Sequence, residues 1–86
     1  MIRAGERNGL PPEVAAALTR QTVLGAARMV IETGADPAEL RRRVTSPNGT
    51  TEAGIRVMRE NDFAGLIERT ITAATERGQE LGKMFA

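Results

Sequence analysis

The sequence predicts an all-α fold, a helical bundle of four main helices within one domain that spans residues 1–86. Apolar residues recur at intervals of three and four along most of the chain, which is the period of an α-helix. No stretch of five or more residues alternates between apolar and polar side chains, so no strand is indicated. Prolines and glycines lie between the periodic segments, where they start and stop helices.

The composition excludes several kinds of chemistry. The chain has no cysteine and no histidine, which rules out disulfides, thiolate ligands and imidazole bases. Twelve basic and eleven acidic residues leave a net charge of +1, so no general attraction to nucleic acid or anionic membranes is indicated. No apolar run approaches the ~20 residues of a membrane-spanning helix. The first residues lack the apolar core of a signal peptide, and a cytoplasmic protein is expected.

The first half of the chain centres on one long helix. Residues 1–9 indicate the last turn of a preceding helix, which stops at an Asn-Gly pair. The long helix is predicted from Glu13 to Thr33, with Gly34 as its stop. Between Val23 and Ile31 only Arg28 is charged, so this part of the helix is apolar on nearly every side. Because one short chain cannot cover such a surface, a second copy is expected to cover it.

A short third helix is predicted from Pro37 to about Val44. Asp36 is expected as its N-cap and Glu39 as the third residue of a capping box. Arg41–Arg43 could hold phosphate, but a solvated face near a helix C-terminus is the simpler interpretation.

The run Thr45–Thr51 places hydroxyls, a proline and a glycine between two helices. Pro47 restricts one φ angle, and the Asn-Gly pair after it tolerates left-handed backbone, so a tight turn is predicted. Thr50 or Thr51 is expected to cap the next helix, from about Thr50 to Glu60. Hydroxyls and free amides at a helix N-terminus predict a site for a small anion, such as a carboxylate or a phosphate.

The last helix is predicted from Phe63 to Leu81 or Lys83, after Asn61 ends the preceding helix and Asp62 caps this one. Its apolar face is formed by Phe63, Leu66, Ile67, Thr70, Ile71, Ala74 and Leu81. The carboxylates of the chain lie off the apolar faces, so none of them is expected to do acid–base work. No Gly-rich phosphate loop follows a strand. The chain is therefore expected to supply one wall of a site rather than a whole reaction.

Two motifs carry a resemblance to a known family. Gln21–Ala27 reads QTVLGAA and Val44–Gly54 reads VTSPNGTTEAG. Two further segments, Asn8–Pro11 and Arg77–Leu81, match the same family in residue type and spacing. Together these segments resemble the C-terminal domain of pyrroline-5-carboxylate reductases. The resemblance covers essentially all of residues 4–82.

The resemblance implies an oxidoreductase of proline biosynthesis, which reduces the imine of 1-pyrroline-5-carboxylate to L-proline with NAD(P)H. In that family an N-terminal Rossmann domain binds the cofactor, and the helical domains of two chains interlock into a homodimer that can assemble further. The present chain is then expected to be the dimerisation and substrate-binding domain without the Rossmann domain. It is expected to bind no cofactor or metal and to be inactive by itself.

The resemblance also implies the residues of a substrate site. Ser46 and the amides of Gly49, Thr50 and Thr51 would hold the substrate carboxylate, and the Thr51 hydroxyl would lie near the imine nitrogen. Asn48 stands where the family usually has glycine.

A second interpretation belongs to a different class of protein. Residues 36–44 and 50–60 could form a helix-turn-helix DNA-binding module, with Arg41–Arg43 on phosphates and Arg56 and Arg59 in the groove. The five-residue gap is long for that motif, and the balanced charge also counts against it.

Overall fold

Five α-helices account for the regular structure of residues 1–85, the part of the chain that the computed structural model describes. They are α1 (Ile2–Arg7), α2 (Pro12–Thr33), α3 (Pro37–Arg43), α4 (Thr50–Glu60) and α5 (Phe63–Phe85). No strand occurs within the described residues, so the all-α prediction is confirmed. None of these helices combines the length and apolar character that crossing a membrane requires.

The chain divides into two compact units, one of residues Met1–Val44 and one that begins at Thr45. In the first unit, the N-terminal segment forms a short helix, α1, which packs on α2. Ala15 is 1% exposed between them, and a Cβ added to Gly5 would lie 3.2 Å from its Cβ. The absence of a side chain at Gly5 therefore sets how closely α1 approaches α2.

The end of α2 and the start of α3 follow the predicted signals in part. Gly34 ends α2 in a left-handed conformation with φ 63°, which confirms the predicted stop. Asp36 and Pro37 occupy the N-cap and first helical positions of α3, but no side chain caps this helix. The predicted capping box is wrong, because the Glu39 carboxylate instead pairs with Arg42 and Arg43.

The second unit consists of the turn before α4 and the two helices α4 and α5, which pack on each other. Asn61 ends α4, and its side-chain amide donates a hydrogen bond to the Val57 carbonyl oxygen at 2.8 Å. Asp62 accepts a hydrogen bond from the Gly65 amide through its carboxylate at 3.3 Å. Both predicted helix-boundary residues are thus confirmed.

Most large apolar side chains in both units are exposed. Among the described residues only Ala15 and Leu40 are buried hydrophobic residues, and α4 and α5 contain no buried residue. In the apolar half of α2, Val23 is 58% exposed and Ile31 is 79% exposed. The chain exposes 7351 Å² of accessible surface. Two compact globular proteins, each with half the mass of this chain, would together expose only about 5,900 Å².

Candidate functional site

A tight turn precedes α4 and spans Ser46 to Gly49. The Gly49 amide donates a hydrogen bond to the Ser46 carbonyl oxygen at 3.1 Å, which closes the turn. Pro47 occupies the second position, and Asn48 occupies the third with φ 60°. Proline followed by a residue of positive φ is the pattern of a type II turn, in which asparagine and glycine tolerate the third position best. The tight turn predicted from the sequence is therefore confirmed.

Helix α4 begins directly at the end of this turn. Gly49 is its N-cap residue, with an extended backbone of φ −88° and ψ 179°, and no side chain accepts a hydrogen bond from the first amides. The prediction that Thr50 or Thr51 caps the helix is wrong. Both threonines already lie inside the first helical turn, because the turn delivers the chain to Gly49 in the conformation that an N-cap residue requires.

The uncapped start of α4 leaves backbone amides that have no side-chain partner among the residues the structure describes. The first amides of a helix have no partner within the helix, and they carry the positive end of its dipole. Glu52 is the acidic residue in this first turn, and its carboxylate pairs with Arg56 at 3.3 Å. The local geometry thus offers amide donors to an anion from outside the helix.

The two threonine hydroxyls at this helix start also lack a hydrogen-bond partner among the described residues. Elsewhere, four threonines inside helices donate their hydroxyl to the carbonyl oxygen four residues earlier, namely Thr22, Thr33, Thr70 and Thr75, whereas Thr19 and Thr72 make no such bond among the described residues. Thr50 and Thr51 follow a turn, so no helical carbonyl lies four residues before them. Thr50 is exposed and Thr51 is half-buried. Their hydroxyls are available to a ligand.

The structure brings the four predicted site residues together within six consecutive positions. Ser46 is exposed at the start of the turn, Gly49 ends it, and Thr50 and Thr51 begin α4. One detail differs from the expectation that all three amides face a ligand. The Gly49 amide already donates to Ser46, so the amides of Thr50 and Thr51 are the ones left open.

A second surface feature was not predicted from the sequence. An apolar groove of about 180 Å³ runs between α2 and α3. The signal for it was present, since Leu40 and Val44 lie four residues apart on one face of α3, next to the apolar half of α2. Its lining residues are Ala26, Met29, Val30, Pro37, Leu40, Arg41 and Val44.

Comparison with known proteins identifies the family. The family model for pyrroline-5-carboxylate reductase dimerisation matches residues 1–81 of the chain. The chain belongs to this family. The reductase resemblance is thereby confirmed, and the helix-turn-helix alternative loses its support. Several arginines that it assigned to DNA pair with acids of their own helices, since Arg42 and Arg43 contact Glu39 and Arg56 contacts Glu52.

Similar proteins from other organisms are named pyrroline-5-carboxylate reductase. It is 53% identical to pyrroline-5-carboxylate reductase of Pseudomonas aeruginosa, over 99% of this chain and 31% of that protein. It is 44% identical to pyrroline-5-carboxylate reductase of Arabidopsis thaliana, over 92% of this chain and 29% of that protein. The chain thus spans about 30% of the length of the curated relatives it matches.

A solved structure supports the same fold. The crystal structure of Plasmodium falciparum pyrroline carboxylate reductase with NADP bound aligns with a TM-score of 0.84 and 32% sequence identity. The alignment covers 88% of this chain and 31% of that protein. The helical architecture of the chain is therefore that of one part of a longer reductase.

Proposed function

We propose that this chain is the dimerisation domain of a pyrroline-5-carboxylate reductase and supplies the part of the active site that binds the substrate carboxylate. The complete enzyme would reduce 1-pyrroline-5-carboxylate to L-proline with NAD(P)H, in proline biosynthesis. One observation carries the proposal: in a chain of this family, the N-terminus of α4 is uncapped and presents the hydroxyls of Thr50 and Thr51, which have no hydrogen-bond partner within residues 1–85.

The carboxylate-binding role rests on the donors at this helix start. The amides of Thr50 and Thr51 and the hydroxyl of Ser46 are short-range donors to an anion, and the helix dipole adds about 0.3–1 kcal/mol. Hydrogen bonds to a charged carboxylate are roughly twice as strong as those between neutral groups. Gly49 belongs to the proposed site mainly as the residue that closes the turn, because its own amide donates to Ser46.

Thr51 is the proposed catalytic residue of this chain. Reduction of an imine adds a hydride to carbon and a proton to nitrogen. A hydroxyl held near that nitrogen can donate a hydrogen bond to it and assist the proton transfer. The Thr51 hydroxyl suits this role because no helical carbonyl competes for its proton.

The proposed partner is a second copy of the chain in an interlocked homodimer, which can assemble further. The chain exposes about 1,400 Å² more surface than two separately compact pieces of half its mass would. An interface that buries about 1,400 Å² on each of two chains falls within the roughly 2,000–5,000 Å² of total area that obligate interfaces bury. The most exposed part of the apolar half of α2, Ile31, is proposed to lie in this interface.

The NAD(P)H cofactor is proposed to bind residues outside this sequence. A Rossmann domain binds a dinucleotide where a strand is followed by a glycine-rich turn and a helix, and residues 1–85 contain no strand. We also propose that residues 1–86 act as one domain, that the complete enzyme is cytoplasmic, and that the isolated chain has no reductase activity.

The proposal is tested by replacing the Thr51 hydroxyl in the complete enzyme. Thr51→Ala should lower kcat/KM for 1-pyrroline-5-carboxylate by about a hundred-fold, the size expected for loss of a group that assists proton transfer. Thr75→Ala is the matched control, because its hydroxyl donates to the Ile71 carbonyl oxygen within α5. Equal kinetics for the two variants would remove Thr51 from the site.

A further inference from the structure

The three asparagines of the chain differ in how their side chains are held. The Asn8 side-chain amide donates to the Ala4 carbonyl oxygen at 2.8 Å, and the Asn61 side-chain amide donates to the Val57 carbonyl oxygen at 2.8 Å. The Asn48 side chain is exposed and makes no hydrogen bond among the described residues. Its carboxamide is therefore free to rotate about its own side-chain bonds.

The residue after Asn48 is glycine, and this matters for the chemistry of the asparagine. Gly49 has no side chain to keep its backbone nitrogen away from the Asn48 carboxamide. One hydrogen bond, from the Gly49 amide to the Ser46 carbonyl oxygen, holds this nitrogen in place. Asn48 also has a φ of 60°, which an L-residue adopts at some cost.

We propose that Asn48 is a site of spontaneous deamidation. The Gly49 backbone nitrogen attacks Cγ of Asn48, a new N–Cγ bond forms, and the Cγ–Nδ2 bond breaks. The side-chain nitrogen leaves as ammonia, which takes up the proton lost by the Gly49 amide. Water then opens the five-membered imide at one of its two carbonyls and leaves aspartate or isoaspartate at position 48. No oxidation or reduction takes place.

The chain contains a natural comparison for this reaction. Asn8 is also followed by a glycine, so both pairs have the same intrinsic reactivity in an unfolded chain. In the folded chain the Asn8 carboxamide is tied to Ala4, and the Gly9 amide donates to the Glu6 carbonyl oxygen at 3.0 Å. Ring closure at Asn8 must break both hydrogen bonds, whereas closure at Asn48 must break one.

Deamidation at this position would act on the turn that precedes α4. An aspartate places a negative charge one residue before Gly49, and an isoaspartate also lengthens the main chain inside a turn closed by one hydrogen bond. The effect on activity rests on the proposed function, because a carboxylate here repels a substrate carboxylate bound at the start of α4. The modification itself does not depend on that function.

Peptide mapping tests the modification without any activity measurement. Trypsin places the three asparagines on separate peptides, which are residues 8–20, 44–56 and 60–69. We expect incubation of the folded protein at mildly alkaline pH to convert peptide 44–56 several-fold faster than peptide 8–20. In denaturant the two should convert at similar rates. An unchanged peptide 44–56 in the folded protein, or equal rates for both peptides there, would overturn the proposal.

A pair of variants tests the consequence in the complete enzyme. Asn48→Asp should raise KM for 1-pyrroline-5-carboxylate by about five-fold, the effect of a unit charge roughly 4 Å away in a water-like dielectric. Asn8→Asp adds the same charge at the end of α1 and should leave KM unchanged. Conversion of peptide 44–56 together with an unchanged KM in Asn48→Asp would contradict the carboxylate site while the modification stands.

Discussion

The Ser46 carbonyl oxygen lies 3.1 Å from the Gly49 amide nitrogen and would lie 3.2 Å from a Cβ atom at position 49. The same oxygen thus closes the turn and crowds a side chain at position 49. Gly49 has an extended backbone with φ −88°, which any residue can adopt. Glycine is favoured here because it takes little space, and not because of its conformational freedom.

Gly49→Val should open the turn, because its branched side chain meets the Ser46 carbonyl group. We expect a loss of about 1 kcal/mol in the free energy of unfolding, the contribution of one hydrogen bond. In the complete enzyme, KM for the substrate should rise as well. Gly49→Ala is the matched control and should lie between the wild type and the valine variant in urea unfolding. A valine variant with wild-type stability and KM would contradict the role of this contact.

Asn48 offers a test that depends on backbone conformation. Its φ of 60° is unfavourable for alanine, so Asn48→Ala should lower the free energy of unfolding by about 1 kcal/mol. Asn48→Gly should change it little, because relief of the left-handed conformation is offset by the greater freedom of glycine in the unfolded chain. Urea unfolding of the two variants checks this. Equal stabilities would show that the left-handed conformation carries no cost.

The connection between α4 and α5 depends on Asp62. Its carboxylate accepts a hydrogen bond from the Gly65 amide at 3.3 Å and pairs with Arg69 at 3.2 Å. Asp62→Ala should lower the free energy of unfolding by about 1–2 kcal/mol, since it removes an N-cap and leaves alanine at positive φ.

Arg69→Ala separates the two contributions of Asp62. It removes only the ion pair, whose side chains are both largely exposed, so its effect should stay within about 0.5 kcal/mol. Thermal or urea unfolding measures both variants. If Arg69→Ala costs as much as Asp62→Ala, the ion pair and not the cap stabilises the start of α5.

Ile31 tests the proposed dimer. It is 79% exposed within one chain, so Ile31→Glu should leave the fold of the chain intact. A charge in an apolar interface opposes burial, and sedimentation should show a shift from dimer to monomer at micromolar concentration. Arg20→Glu adds the same side chain at an exposed polar position of α2 and should remain dimeric. A wild-type chain that sediments as a monomer would contradict the dimer itself.

The sequence by itself determined the helices and most of their ends. Gly34, Pro37, Asn61 and Asp62 mark boundaries where they were predicted, and α4 spans the residues expected of it. These signals are reliable because helix starts and stops depend on backbone conformation and hydrogen bonds between residues close in sequence. Helix α5 continues past Leu81 and Lys83, where its end was predicted, to Phe85, the last residue that the structure describes.

Only the tertiary structure decided how the donors before α4 are used and which apolar residues are covered. The sequence favoured a threonine cap, but the turn places Gly49 at the N-cap and leaves both threonine hydroxyls open. Leu40 and Ile31 both belong to apolar segments, yet one is buried and the other is exposed. The reason is physical: burial depends on which surfaces meet in space, and periodicity in a sequence reveals only that a face is apolar.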